Sequence, residues 1–351
     1  MSYDGFFIRD YVGETIDGSK GTSWTNSPDI ICSGPTPLAD PKTILNADNY
    51  NKGLPIGYRQ SPEMNNWVYV RGVNPQTVPQ KTTIYMYYAD SSVMLWPQNW
   101  KYREFMYAGE YQNWASFVAP ARTDNLGLQG TIPPFGWTPP TKYNYCLVAW
   151  AKNGPQQNIP PDLHSIGKVS DLGKFIISNP NIGWKNTIAV DATKPTLTGT
   201  APIDGPPEGG ILNIGLQCDK IPKGGYIEFF VPGPNEDNTI IFPKTKIEVN
   251  NYAPTVQVEY PAVSGGYKTQ LTWNYYEGTT PASDGANIIP FAGTWGLTTD
   301  FIDIVRKTAP QFLADVHHYG TPVEFARNIG QLKVPIRTMM IVGSIPFRFT
   351  R

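Results

Sequence analysis

The sequence predicts an all-β protein with two tandem β-sandwich domains, a few short helices and an extended N-terminal arm. Three observations carry that prediction. Charged residues make up only 16% of the chain, while Gly (33), Pro (34) and aromatics (13%) are abundant, as expected of short strands joined by turns. Several segments alternate with a period of two, the spacing of a strand. A length of 351 residues suits two domains, each large enough to bury its own core.

Residues 1–60 read as the arm. The stretch "SWTNSPDIICSGPTPLADPKTILNADNYNKG" is rich in Pro, Asn, Asp, Ser and Gly and has little periodicity. Ahead of it, Phe6, Phe7 and Ile8 are too few and too local to form a core. They are expected to dock, on a neighbouring subunit rather than in cis, and so to make the arm an assembly device. Residues 61–193 form the first expected domain, with an aromatic-rich insertion, and residues 196–351 the second. Between them "DATKPTLTG", around Lys194 and Pro195, reads as a stiff connector.

The two domains run through a similar programme. "IYMYYADSSVMLWP" from Ile84 aligns with "IEFFVPGPNEDNTIIFP" from Ile227, and Phe175 meets Phe325 further on, with offsets that drift slowly in one direction. Loop insertions between two copies of one domain produce that drift. A short helix precedes the last strand of each copy. In the first, Asp171 is the expected cap of a turn carrying Leu172, Phe175 and Ile176; in the second, Thr321, Pro322 and Glu324 fit a capping box closed by Gly330. A further helix is expected over "TTDFIDIVRKTAP", stopped by Pro310.

The strands "WVYVRGVN" and "IYMYY" raise the main question, because neither face of either is polar. Val68 and Val70 oppose Trp67, Tyr69 and Arg71, while Ile84, Met86 and Tyr88 oppose Tyr85 and Tyr87. "YNYCLVAWAKN" repeats the pattern. Burying one ring removes roughly 150–250 Å² from water, about 4–6 kcal/mol at the upper bound, so the second face must be covered. Three covers are available: the chain's own segment holding Trp96 and Trp100, the N-terminal arm, or a ligand or partner protein.

Val68, Tyr69, Val70, Arg71 and Asn74, then a Pro-containing turn and Ile84 to Tyr87, resemble the paired central strands of bacterial immunoglobulin-like and fibronectin-III-like modules. "YNYCLVAW" is similar to their later core strand. The resemblance covers residues 60–192 and, more faintly, 196–351. It implies two immunoglobulin-like sandwiches and a role in binding, adhesion or assembly, with no catalytic residues to transfer. Cys146 has no cysteine opposite it, so the inter-sheet disulfide of antibody domains is not expected.

Catalytic motifs are missing from the sequence. It contains no GxSxG elbow, P-loop, GxGxxG or HExxH. The histidines are His164, His317 and His318, and the adjacent pair beside Asp315 diverges unless it sits in a turn. Glu104, Glu110, Asp124 and Asp162 lie in the first insertion without two being singled out as a glycosidase pair. "GPNEDN" at 233–238 lacks EF-hand spacing and reads as a turn. No cofactor or metal is expected. Cys32, Cys146 and Cys218 are far apart and read as buried thiols.

A net charge of −1 without a Lys/Arg cluster argues against nucleic acid as a partner. No apolar run approaches the roughly 18 residues of a membrane span, and "MSYDGFFIRDYVGETIDG" lacks the pattern of a cleaved signal. These features predict a protein made in the cytoplasm and released, if at all, by a non-classical route. The expected function is non-enzymatic: a structural or interaction protein that self-assembles or binds a protein through its arm and aromatic surface. Trp96, Trp100, Trp114, Trp137, Tyr85 and Tyr87 are the candidate binding residues; the alternative function is a carbohydrate-binding protein that uses the tryptophans of the 95–140 insertion, or an adhesive or toxin-like secreted protein.

Overall fold

The computed structural model describes residues 3–16, 24–54, 60–61, 64–140, 144–153, 166–186, 188–191, 193–233, 239–295, 313–318 and 336–350. The expected helices over 298–310 and 321–330, the Phe325 alignment, His164, Asp162 and most of the 233–238 turn lie outside them.

In the first half the strands are β1 (Ile30–Cys32), β2 (Asn66–Val73), β3 (Gln80–Asp90), β4 (Phe105–Tyr107), β5 (Trp114–Ala119), β6 (Leu128–Gly130), β7 (Phe135–Trp137), β8 (Tyr145–Asn153) and β9 (Ile182–Lys185). One sheet runs β1-β2-β7-β4 with β6 also on β2, and the other runs β5-β3-β8-β9. They share a core. Val68 and Val70 of β2 and Phe135 and Trp137 of β7 pack with Ile84 and Met86 of β3 and Leu147 and Ala149 of β8.

The second half holds β10 (Ile188–Asp191), β11 (Thr196–Asp204), β12 (Gly210–Asp219), β13 (Tyr226–Pro232), β14 (Thr239–Lys246), β15 (Pro254–Tyr260), β16 (Lys268–Tyr276), β17 (Asn287–Thr294), β18 (Leu313–His318), β19 (Ile336–Ser344) and β20 (Phe347–Thr350). A four-stranded sheet, β11-β16-β13-β14, faces a seven-stranded one, β10-β20-β17-β12-β15-β18-β19. Rings join the two: Trp273 lies 5.2 Å from Phe347 and Tyr275 5.7 Å from Phe349, centroid to centroid.

The larger sheet departs from a plain sandwich. β19 pairs with β18 and also with β17, so β12, β15, β18, β19 and β17 close into a ring. Closure uses a register shift between Ala292 and Gly293 and a parallel pairing of β15 with β18. A separate apolar cluster of Ala253, Phe291, Val316, Met339 and Ile341 belongs to these strands and the residue just before β15. β10 pairs in parallel with β20, which adds Ile188–Asp191 to the edge of the larger sheet.

The face of β2 that carries Trp67 and Tyr69 is covered by the arm. Tyr69 packs with Ile31 and Ile44, against which Leu38, Leu45 and Leu54 rest. The arm is therefore not merely extended. It supplies β1, which pairs with β2, and a short helix, α1 (Ala47–Lys52). Asn46 caps α1 by accepting from the backbone N–H groups of Asp48 and Asn49 at 2.9 and 3.1 Å, and Gly53 ends it at φ 78°.

The second face of β3 and β8 is covered by the chain's own segment and by a helix, α2 (Val169–Ser178). The Trp100 ring lies 5.5 Å from Tyr87, 6.2 Å from Phe175 of α2 and 5.1 Å from Trp184, which meets Trp24 at 5.0 Å. Lys168, not Asp171, holds the cap position of α2; Asp171 sits in its first turn, 3.5 Å from Lys174. Gly173 lets the helix lie against Met340 and Val342 of β19, where a methyl group would overlap the Met340 side chain. One continuous apolar core consequently runs from Trp24, Tyr87 and Trp150 through α2 to Leu212, Val256 and Phe349.

Candidate functional site

Most of the rings expected at a surface are interior. Trp96, Trp100, Trp137 and Tyr87 are buried, Tyr85 is half-buried, and Trp114 is 42% exposed. Trp137 stacks on Phe105 at 5.9 Å and meets Tyr88 and Tyr145 edge-on or tilted, which makes it packing for the first sandwich. Only Tyr85 and Trp114 come together near the surface, as direct cross-strand partners.

Phe6, Phe7 and Ile8 dock in cis. All three are buried; Phe7 bridges Val73 through N–O contacts of 2.9 and 3.0 Å, and the Phe6 ring lies 5.5 Å from Phe117 of β5. Gly72 makes room for them, since a methyl there would overlap the Phe7 carbonyl. The expectation of docking on a neighbouring subunit failed because the segment completes the fold of its own chain: bare backbone on β2 and an apolar gap under β5 are both local to it.

Beside this segment lies a buried charge cluster. Asp29 accepts from Arg9 Nη2 at 2.7 Å, Arg9 Nε at 3.0 Å and Arg71 Nε at 3.0 Å. The Arg9 guanidinium stacks 3.4 Å over the Tyr50 ring, and Arg71 Nη1 donates to the Ile44 carbonyl. Burial opposes charge on Asp29, but the two guanidiniums outweigh it and hold the carboxyl below its usual range. Every partner is internal, so the cluster ties arm to sandwich rather than presenting a reactive group.

The described residues contain no group of three metal-ligating side chains, and no helix among them is long and apolar enough to cross a membrane. His317 and His318 lie in β18, beside Pro254 and Thr255 of β15. The three cysteines are free and buried, and burial pushes each thiol up, Cys32 and Cys218 to about 12.

The sheet edges differ in how they are protected. β1 and β4 are three residues long; β9 carries Lys185, bridged by Asn26; β10 has four residues. β11 contains Pro202 and Asp204, and β14 contains Pro243, Lys244 and Lys246. Short length, proline and charge are the usual guards against pairing with another chain. β5, "WASFVA", has six residues and none of these guards. Its inner residues Ala115 and Ala119 enter the core, while Trp114, Ser116 and Val118 are exposed, Val118 at 59%.

No family model and no curated protein sequence matches the chain. Among solved structures it is similar to the collagen adhesin of S. aureus, at 12% identity and a TM-score of 0.21, covering 82% of this chain and 88% of that one. CBD12 from CALX1.2 matches at 6% identity and a TM-score of 0.17, covering 68% and 79%. The CupB6 tip adhesin of Pseudomonas aeruginosa matches at 8% identity and a TM-score of 0.13, covering 65% and 84%. At these scores the likenesses carry no argument about what this chain does.

Proposed function

We propose that this is a non-enzymatic interaction protein that self-assembles by strand addition at β5, and that its halves are two diverged copies of one immunoglobulin-like sandwich. The observation that carries the first part is the unguarded edge: six uncharged residues, no proline, and exposed Trp114 and Val118. Two β5 strands related by a twofold axis pair antiparallel. Centred on Ser116, that pairing sets Trp114 of one copy opposite Val118 of the other, twice over, an aromatic–β-branched pair worth roughly 0.2–1 kcal/mol in addition to the new backbone hydrogen bonds.

Support for the second part is that β3 and β13, matched in the sequence alignment, both occupy inner positions in four-stranded sheets that face a larger one. The arm's role in this reading is indirect, because Phe6 packs on Phe117 and so holds β5 in place.

Sedimentation velocity tests the proposal. Wild-type protein is expected to dimerise with rising concentration, while Ser116→Pro and Val118→Lys remain monomeric with melting temperatures close to wild type. A wild type that stays monomeric, or variants that still dimerise, would overturn it.

A further inference from the structure

Away from β5, the two halves enclose a cleft of about 550 Å³, within the range of roughly 300–1,000 Å³ usual for small-molecule sites. Each half contributes one aspartate–lysine pair to its walls. From the first half, Lys101 Nζ lies 3.2 and 3.3 Å from the two carboxylate oxygens of Asp90, at the end of β3. From the second, Asp204 and Lys268 face each other in register on β11 and β16, with Nζ 3.9 Å from Oδ1. Burial raises the Asp204 carboxyl above its usual range; Lys268 pulls it back, and Asp90 of the other half pushes it up, so the pairs sense each other across the cleft.

The rest of the wall is uncharged: Thr200, Thr269 and Asn144 beside Pro140, Pro202 and Ile188. The floor is fixed. Ser92 Oγ accepts from the Asp204 backbone N–H at 3.1 Å, and Val93 N–H donates to the Pro202 carbonyl at 2.8 Å, so the cleft does not depend on closure of one half onto the other.

We propose that this cleft binds a neutral glycan over a disaccharide-sized stretch. The lining charges cancel, two aspartates against two lysines, so a phosphate or a free cation has to displace a partner already in place. A hydroxyl-rich neutral ligand displaces nothing: each pair offers an acceptor and a donor side by side, matching adjacent sugar hydroxyls. The prolines and Ile188 supply apolar contact for the C–H faces of a sugar ring. This site is separate from Trp114 and does not rest on the β5 reading.

Saturation-transfer NMR on the full chain with cellobiose, maltose and chitobiose tests it. At least one is expected to bind, with affinity reduced about tenfold or more in Lys101→Ala and in Lys268→Ala, the loss expected for a hydrogen bond to a charged group. The Lys101 and Lys268 side chains are 50% and 71% exposed, so neither substitution threatens the fold. Thr200→Trp, which fills the cleft from an exposed position, is expected to abolish binding, and Trp114→Ala to leave it unchanged. No signal from any of the three sugars, binding that survives Thr200→Trp, or inorganic phosphate that displaces the sugar at lower concentration than a competing disaccharide would each overturn the proposal.

Discussion

The indole Nε1 of Trp96 donates to the backbone carbonyl of Asp204 at 2.8 Å, fastening a ring of the first half to a strand of the second. Nearby, Asn186 donates to the carbonyls of Ser92 and Ser344 at 2.9 Å each, and accepts from Ser91 Oγ at 2.6 Å. Apolar contact continues on both sides of these bonds through the shared core. The halves are therefore not independent modules. Trp96→Ala is expected to cost about 3–5 kcal/mol, and calorimetry is expected to show a single transition in the wild type. Two separate transitions in the wild type would refute the shared core.

Asp29 is the shared carboxylate partner of two buried guanidiniums, so Asp29→Ala leaves both without it and is expected to cost about 3–5 kcal/mol. Its pH dependence has a definite sign. The folded carboxyl titrates below the unfolded one, so its contribution is complete above the unfolded value, near 3.9, and is lost as pH falls through the folded value. Urea titrations at neutral and acid pH check this: the gap between wild type and Asp29→Asn is expected to narrow on acidification.

Gly343 of β19 packs against the backbone of Val93, where an added methyl would overlap the Val93 carbonyl oxygen. Gly343→Ala is expected to destabilise the protein by about 1–3 kcal/mol, because backbone must move on both sides of the junction. A neutral effect in denaturant melts would mean that the halves are held less closely than the structure shows.

Cys32, Cys146 and Cys218 are expected to resist a thiol reagent until the chain unfolds, since burial removes them from solvent and suppresses the thiolate. Labelling of native protein faster than global unfolding would show that one of their strands opens locally.

The sequence made the strands legible where alternation is strict, as in β2, β3 and β8, and it narrowed what covers their second faces. Two of the three available covers are used, the arm over Tyr69 and the Trp100 segment over Tyr87. Alternation says which side chains share a face but not whether that face is wet, so Trp96, Trp100 and Trp137 looked the same as Trp114. The closure of β17 onto β19 was not legible, because it depends on a parallel pairing of Pro254 with His317 that leaves no local pattern. The period-two spacing of Trp114, Ser116 and Val118 was a readable signal for β5; reading the run as part of an insertion hid it.

The twofold pairing at β5 is tested most directly by a cross-link at its centre. Residues directly opposite in an antiparallel pair lie about 4.5–5.5 Å apart at Cα, within disulfide range. Ser116→Cys is expected to give a covalent dimer under mild oxidation, while wild-type protein, whose cysteines are buried, gives none and Val118→Cys gives far less. A Ser116→Cys protein that stays monomeric on non-reducing gels, or cross-links no faster than Val118→Cys, would contradict the pairing.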